Sequence, residues 1–384
     1  MRILMVSWEY PPRKIGGLAT HVYELARALS EIAEIHVVTC SFPGAPETET
    51  IKGTTVHRVN VYSAPSPDFL TWTMLMNVNL LKTGSELVAE KKFDVIHCHD
   101  WLVAPACIAL KHASASRLVA TIHSTESGRR HGIYTDYQRV INEIEGWLTY
   151  EASRIVCCSW SMVNEVASLF NVPRDKIWMI PNGIDTEIYR PTPQDDLFRR
   201  RYAKQDERIV LYVGRLVPEK GVNVLIGAVP KILSVHPDSK FVIVGEGYAR
   251  EQLSSLAKYL GVDHKIYFTG YVSDGDIRKL LSLAYLQVIP SIYEPFGIVC
   301  LEAAASGVPV VVSDTGGLSE IVEDGVTGLK VQPDNSDALA AAVNRILSDA
   351  VLRDSMSKRA RKMAEERFSM RTVADRTMEM YRTL

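Results

Sequence analysis

The sequence is poor in cysteine, in net charge and in long apolar runs, and each shortage excludes something. The six cysteines (Cys40, Cys98, Cys107, Cys157, Cys158 and Cys300) include no C-x-x-C spacing and lie mostly in apolar strand or helix contexts. Buried reduced thiols are therefore expected, not a disulfide framework or a cysteine-based zinc site. A formal net charge of −2 offers no electrostatic basis for binding nucleic acid or an anionic membrane. No apolar run approaches the roughly 20 residues of a membrane span, and the opening strand Arg2–Val6, followed by Ser7-Trp8-Glu9, is too short for a signal h-region. No integral membrane segment and a cytoplasmic location are expected. Both standard phosphate-binding glycine patterns are missing as well. Lys14-Ile15-Gly16-Gly17 meets neither G-x-G-x-x-G nor P-loop spacing, and Gly245-Glu246-Gly247 has Arg250 where a third glycine would stand. No internal repeat or low-complexity segment stands out.

What is present is an ordinary globular composition, 47% apolar and 23% charged, over 384 residues. That length exceeds a usual single core, so two domains are expected. Short apolar runs alternate with amphipathic stretches from end to end. In the first half the runs are Ile3–Val6, Ile35–Thr39, Val95–His97, Leu118–Ile122, Ile155–Cys158 and Ile177–Ile180, and helical patterns cover His21–Glu31, Leu70–Ala89, Trp101–His112 and Tyr134–Tyr150. The second half starts again with Ile209–Val213, Lys240–Val244, Ile266–Thr269, Leu286–Ile289 and Val310–Val312. Its helices are expected at Val222–Ser234, Ala249–Leu260, Asp274–Ala284, Gly297–Ser306 and Ser336–Leu347. The pattern implies an α/β protein of two doubly wound domains, with parallel sheets whose C-terminal edges share a cleft. The turn signal at Asn182-Gly183 and the prolines Pro191 and Pro193 place the boundary near residue 191, giving domains 1–190 and 191–369. The segment 370–384 is a further helix that either caps the second domain or returns to the first.

The most informative segment is Glu294-Pro295-Phe296-Gly297 through Glu302. Two carboxylates stand eight residues apart across the start of a helix, where unpaired N–H groups and the positive dipole end suit a diphosphate. Phosphate would repel the carboxylates, so Glu294 and Glu302 are expected to accept hydrogen bonds from hydroxyls on either side of it. A sugar nucleotide has that layout. Gly214-Arg215 and Lys220, between a strand and the next helix, can hold both phosphates without a metal. In the first half, Gly16 and Gly17 follow the first strand and allow a backbone to approach a ligand closely. His97-Cys98-His99-Asp100 puts His97 and His99 on one strand face, and no second ligand cluster with zinc spacing accompanies it, so no metal site is expected. His99 and Asp100 are instead candidates for sugar or acceptor contact, and His123 ends another strand at the same edge. Asp274-Gly275-Asp276 spells D-x-D, but Ser273 before it and Asp276 three residues later fit a helix cap instead of a metal site.

Together these residues resemble the family 4 retaining glycosyltransferases of the two-domain GT-B fold and their glycogen and starch synthase relatives. The resemblance covers nearly the whole chain. Its most specific element is Glu294-x7-Glu302, supported in the expected order by Gly16-Gly17, His123, Gly214-Arg215 with Lys220, and Gly316-Gly317. It implies two Rossmann-like domains facing a central cleft, with the last helix packed back on the first. It also implies transfer of a hexose from a nucleotide-sugar with net retention, without a metal and with no cofactor beyond the donor. Arg215 and Lys220 would bind the donor diphosphate, Glu302 the ribose, and Glu294 the hexose, with His123 beside the donor sugar. Gly16, Gly17 and Gly297 would line the phosphates.

Lys14-Ile15-Gly16-Gly17 and His97-x-His99-Asp100-Trp101 resemble the K-x-G-G and H-x-H-D-W elements of glycogen synthases, where the lysine contacts the donor. They favour glucose, carried by ADP or UDP, and an α-glucan acceptor. Arg129-Arg130-His131 could instead receive an acceptor phosphate, as in sucrose-phosphate, trehalose or maltose-1-phosphate synthesis. Phe69–Leu81 is apolar enough for the membrane-touching helix of a lipid mannosyltransferase, yet Lys82 is the only nearby cation, which favours a buried helix. A sugar-nucleotide epimerase and a non-catalytic sugar-nucleotide sensor are the competing classes. The first lacks the Glu294–Glu302 signature, and the second would not need so complete a site. A glucan phosphorylase is disfavoured by length.

Overall fold

The computed structural model describes residues 1–61 and 66–384. The chain forms two compact units, Met1–Gly183 with Met370–Leu384, and Ile184–Ser369. The break falls ahead of Tyr189-Arg190-Pro191 because Ile184 N already donates to Phe368 O and the Tyr189 hydroxyl to Glu302 Oε1, both in the second unit.

The first unit holds eight strands: β1 (Arg2–Val6), β2 (Glu34–Cys40), β3 (Thr48–Ile51), β4 (Thr54–Val59), β5 (Val95–His99), β6 (Arg117–Ile122), β7 (Arg154–Cys157) and β8 (Ile177–Met179). Their order in the sheet is β3-β4-β2-β1-β5-β6-β7-β8. Among the described residues all these pairings are parallel except β3 with β4. Ile3, Leu4, Met5 and Val6 are all fully buried, as a strand covered on both faces requires. The sheet's edge hairpin was not expected, since neither Thr48–Ile51 nor Thr54–Val59 is an unbroken apolar run. It turns on Lys52 and Gly53, both at positive φ (48° and 81°).

The second unit holds β9 (Arg208–Val213), β10 (Ser239–Val244), β11 (Ile266–Gly270), β12 (Ala284–Ile289), β13 (Val310–Ser313) and β14 (Gly328–Val331), in the order β11-β10-β9-β12-β13-β14. All its pairings are parallel among the described residues. In each sheet the chain winds outward in both directions from a central pair, β1 and β5 in the first and β9 and β12 in the second. Such switch points are where open parallel sheets bind ligands.

The expected helices form within a few residues of their predicted limits, and the last of them, Met370–Tyr381, belongs to the first unit. It packs on helix Gly17–Leu29, its Tyr381 side chain is buried, and Arg376 donates to Met179 O at 2.7 Å. Helix Phe69–Glu90 buries Met76, Asn77, Leu80 and Leu87. Its Asn77 side chain donates to Leu102 O at 2.7 Å and accepts from Ala106 N at 3.0 Å, anchoring the next helix. No helix among the described residues is long and apolar enough to cross a membrane. All six cysteines are buried and unbridged.

Candidate active site

In the second unit the switch point brings distant residues together by a backbone zipper. Segment 290–294, leaving β12, pairs with residues 219–221, leaving β9: Ile292 N and Tyr293 N both donate to Glu219 O (2.9 and 3.2 Å). The approach is so close that a Cβ on Gly221 would stand 2.0 Å from Pro290 O. On the other side Gly317 N donates to Glu294 O at 3.0 Å, and a Cβ on Gly316 would stand 2.0 Å from that same oxygen. Two glycines thus clamp the backbone at Glu294, and the clamp explains the Gly316-Gly317 signature in structural terms.

The clamp sets the Lys220 ammonium 2.7 Å from Glu294 Oε2, which also accepts from Ser291 Oγ at 3.0 Å. Glu294 is buried. Helix Ile298–Ala305 starts directly after, at Gly297, with no side-chain cap, so its first N–H groups keep an anion-binding character. Glu302, one turn further, accepts from the Tyr189 hydroxyl at 3.0 Å, and burial with this carboxylate nearby holds the phenol well above its usual range. The Arg215 side chain is half exposed, 3.5 Å from Glu219, while its carbonyl is fixed by the Tyr212 hydroxyl at 2.9 Å. Arg215, Lys220, Glu294, Gly297 and Glu302 therefore all stand at the C-terminal edge around β9 and β12. The Asp274 motif does cap a helix: Ser273 accepts from Asp276 N at 3.2 Å.

In the first unit the switch point carries histidines and two buried acids. His99 ends β5, His123 follows β6, and His21 comes from helix Gly17–Leu29. His99 Nδ1 lies 3.3 Å from His123 Nε2, and the His21 ring packs edge-on to both, 5.8 and 5.0 Å between centroids. His97, behind them, is held by the Tyr381 hydroxyl (2.6 Å) and Thr121 Oγ1 (2.7 Å). Burial pushes all four imidazoles down, His97 to about 3 and His123 to about 4, so they are neutral near pH 7. Asp100, at φ 68°, accepts the His123 backbone N–H at 2.9 Å, and burial raises its carboxyl to about 6 against the pull of Arg129. Its placement makes it a brace for the His123 loop.

The Lys14–Gly17 loop is shaped by a residue that sequence reasoning missed. Glu9 Oε2 accepts from Ile15 N (2.5 Å) and Gly16 N (3.1 Å). Burial outweighs those bonds and lifts Glu9 to about 7. Gly16 and Gly17 are exposed, and a Cβ on Gly16 would meet only Glu9 Oε1, at 4.0 Å. The fold does not need a glycine there. Arg129 is committed within the unit: it bonds Ser124 Oγ, Glu126 at 2.9 Å and Glu145 at 3.5 Å. Arg130 is half exposed, 3.7 Å from Glu126. His21 was missed too; its place four residues beyond Gly17 on the helix was the available signal.

The chain as a whole resembles known proteins. The family model described as Glycosyltransferase Family 4 matches residues 15–188, and the one described as Glycosyl transferases group 1 matches 194–363. An uncharacterized glycosyltransferase of Methanocaldococcus jannaschii is 43% identical, covering 100% of this chain and 98% of the relative. A Mycobacterium tuberculosis glycogen synthase is 36% identical, covering 99% and 94%. Among solved structures, sucrose-phosphate synthase from Thermosynechococcus elongatus superposes with a TM-score of 0.87 at 23% identity, covering 100% and 98%. Anabaena HepE in complex with UDP-glucose gives 0.79 at 22% identity, covering 100% of both chains. The chain belongs to the family 4 glycosyltransferases of the GT-B fold, and it is a glycosyltransferase.

Proposed function

We propose that this enzyme transfers glucose, with retention, from ADP-glucose or UDP-glucose to a hydroxyl of an α-glucan. The observation that carries the reading is the Lys220–Glu294 pair at 2.7 Å beside the uncapped start of helix Ile298–Ala305, at the β9/β12 switch point. A donor diphosphate competes with Glu294 for the Lys220 ammonium. Exchange of that partner puts positive charge on the phosphates and frees the Glu294 carboxylate to accept from hexose hydroxyls. As the bond from the anomeric carbon to the β-phosphate oxygen breaks, Lys220 and Arg215 stabilise the charge on the departing nucleoside diphosphate, which is where electrostatic catalysis contributes most. The acceptor hydroxyl attacks on the same face and gives its proton to the leaving phosphate, so neither metal nor cofactor takes part. Glu302 holds the ribose, and His123 keeps the donor-sugar role that the resemblance gives it. The relation to a glycogen synthase at 36% identity over nearly all of both chains supports the glucan acceptor, and HepE was solved with UDP-glucose.

A phosphorylated acceptor is the second reading, favoured by the half-exposed Arg130. Mass spectrometry of products distinguishes the two. ADP-, UDP- and GDP-glucose are each offered with glycogen, maltooligosaccharides, glucose-1-phosphate and fructose-6-phosphate. A lengthened glucan is the expected result. Transfer only to a sugar phosphate would replace it with the second reading, and no transfer from any glucose donor would overturn both.

A further inference from the structure

We propose that His21, His99 and His123 form a binding site for a first-row transition-metal ion, with zinc(II) as the type. The three come from different elements, and one ring nitrogen of each lies within 4.8 Å of one on both others. The separation His99 Nδ1 to His123 Nε2, 3.3 Å, is long for a hydrogen bond. It matches the edge of a tetrahedron around zinc, about 3.3 Å for metal–nitrogen bonds of about 2.0–2.1 Å.

The second observation is independent of that spacing. His21 Nδ1 and His99 Nε2 are buried and have no hydrogen-bond partner among the described residues, although the residues are only 7% and 0% exposed. Buried polar atoms are nearly always paired, and an ion explains the orphaned His21 Nδ1. His99 meets that ion through Nδ1, at the 3.3 Å edge, and its Nε2 lies outside the coordination sphere. His97, whose two ring nitrogens are both engaged, shows how this interior satisfies an imidazole that has only a structural role.

The donor set selects the ion. Three imidazoles with no carboxylate or thiolate suit zinc, copper or nickel and not magnesium or calcium. His123 is only half buried and leaves an approach from solvent, so the site is of the three-ligand kind with an open position. One consequence rests on the proposed function: His123 is the residue assigned to the donor hexose, so an occupied site withdraws it. Zinc then acts as a reversible inhibitor of an enzyme whose chemistry needs no metal.

The test uses the full-length enzyme, stripped with chelator and then dialysed against micromolar zinc or cobalt. One ion per chain is expected, with the visible absorption of nitrogen-coordinated cobalt. His21→Phe should lose at least the roughly tenfold in affinity that even an outer-shell change costs, while His21→Cys, which keeps a ligand atom, should retain the ion. No uptake by the wild type, or equal uptake by His21→Phe, overturns the site. Thermal unfolding of each variant without metal separates ligand loss from misfolding. Zinc should inhibit the wild type but not His21→Phe. Tight binding with undiminished transfer would keep the metal site and overturn the donor contact of His123.

Discussion

Lys220 Nζ and Glu294 Oε2 sit 2.7 Å apart although 74 residues separate them in the chain. Neither side chain brings the other. The zipper between residues 219–221 and 290–294 does, and the pair is its product. Lys220→Ala should cut kcat/KM by about 100-fold or more, the size expected when a preorganised cation is removed from a developing anion. Glu294→Ala should cut it severely by removing the acceptor of the hexose hydroxyl bonds. Lys220→Ala also leaves a buried carboxylate with Ser291 as its remaining partner here, costing about 1–3 kcal/mol in stability. Circular dichroism and thermal unfolding check the fold, and steady-state kinetics check the loss. Near-normal turnover in both variants would defeat the site assignment.

Glycines at the two switch points predict opposite behaviour. Gly316 lies at φ 48° with Glu294 O 2.0 Å from where a Cβ would go. Gly316→Ala should therefore cost about 2 kcal/mol or more and drag Glu294 out of place. Gly16 has φ −152° and open space around it. Gly16→Ala should leave the melting temperature within a degree or two, by the rule that unstrained surface changes are nearly neutral. A raised donor KM in that stable variant would show that the ligand, not the fold, requires glycine.

A pH experiment isolates Glu9. Its carboxyl is raised from 4.5 to about 7 by burial, so the folded state favours the protonated form. The resulting stability is fully present below pH 4.5 and is lost as pH rises to about 7, on the order of 3 kcal/mol across the window. The neutral histidines act in the other sense, costing stability as pH falls below 6.5. They do so in wild type and variant alike. Glu9→Gln should thus flatten only the decline between pH 4.5 and 7, read as the difference in denaturant midpoints. Parallel pH curves would show that Glu9 is already ionised throughout.

Both sheets could be read from the chain because their strands are buried on two faces and need unbroken apolar runs. The hairpin and the far edge escaped for the same reason: β3 and β4 mix polar residues into their runs, and β14 carries Gly328 and Lys330. Glu294, Glu302, Lys220 and Arg215 were legible because helix starts and strand ends are marked by local spacing. The clamp on Glu294 was not, since it depends on Gly221 and Gly316 meeting carbonyls far along the chain. Glu9 and His21 were hidden differently. A buried acid and a buried histidine look like surface residues until the fold shows what covers them. Arg129 and Arg130 looked equivalent in sequence, and the structure separates them.

That separation yields a final prediction. Arg129 is bonded to Glu126 and lies 3.5 Å from Glu145, itself only 1% exposed, and Arg130 projects outward with its side chain half exposed. Removing Arg129 leaves the buried Glu145, whose carboxyl burial raises to about 8, with the Glu126 N–H at 2.9 Å. It should destabilise the first unit by about 1–3 kcal/mol, whatever the acceptor. Arg130→Ala should leave stability unchanged. Its effect on kinetics then reports the acceptor class: an unaltered KM for maltooligosaccharides accords with glucan transfer. A tenfold rise in KM for a sugar phosphate, restored in part by Arg130→Lys, would mean that this guanidinium meets an acceptor phosphate. Because Arg129 cannot leave its carboxylates without that cost, it gives no such signal, and the two variants together separate acceptor recognition from loss of the fold.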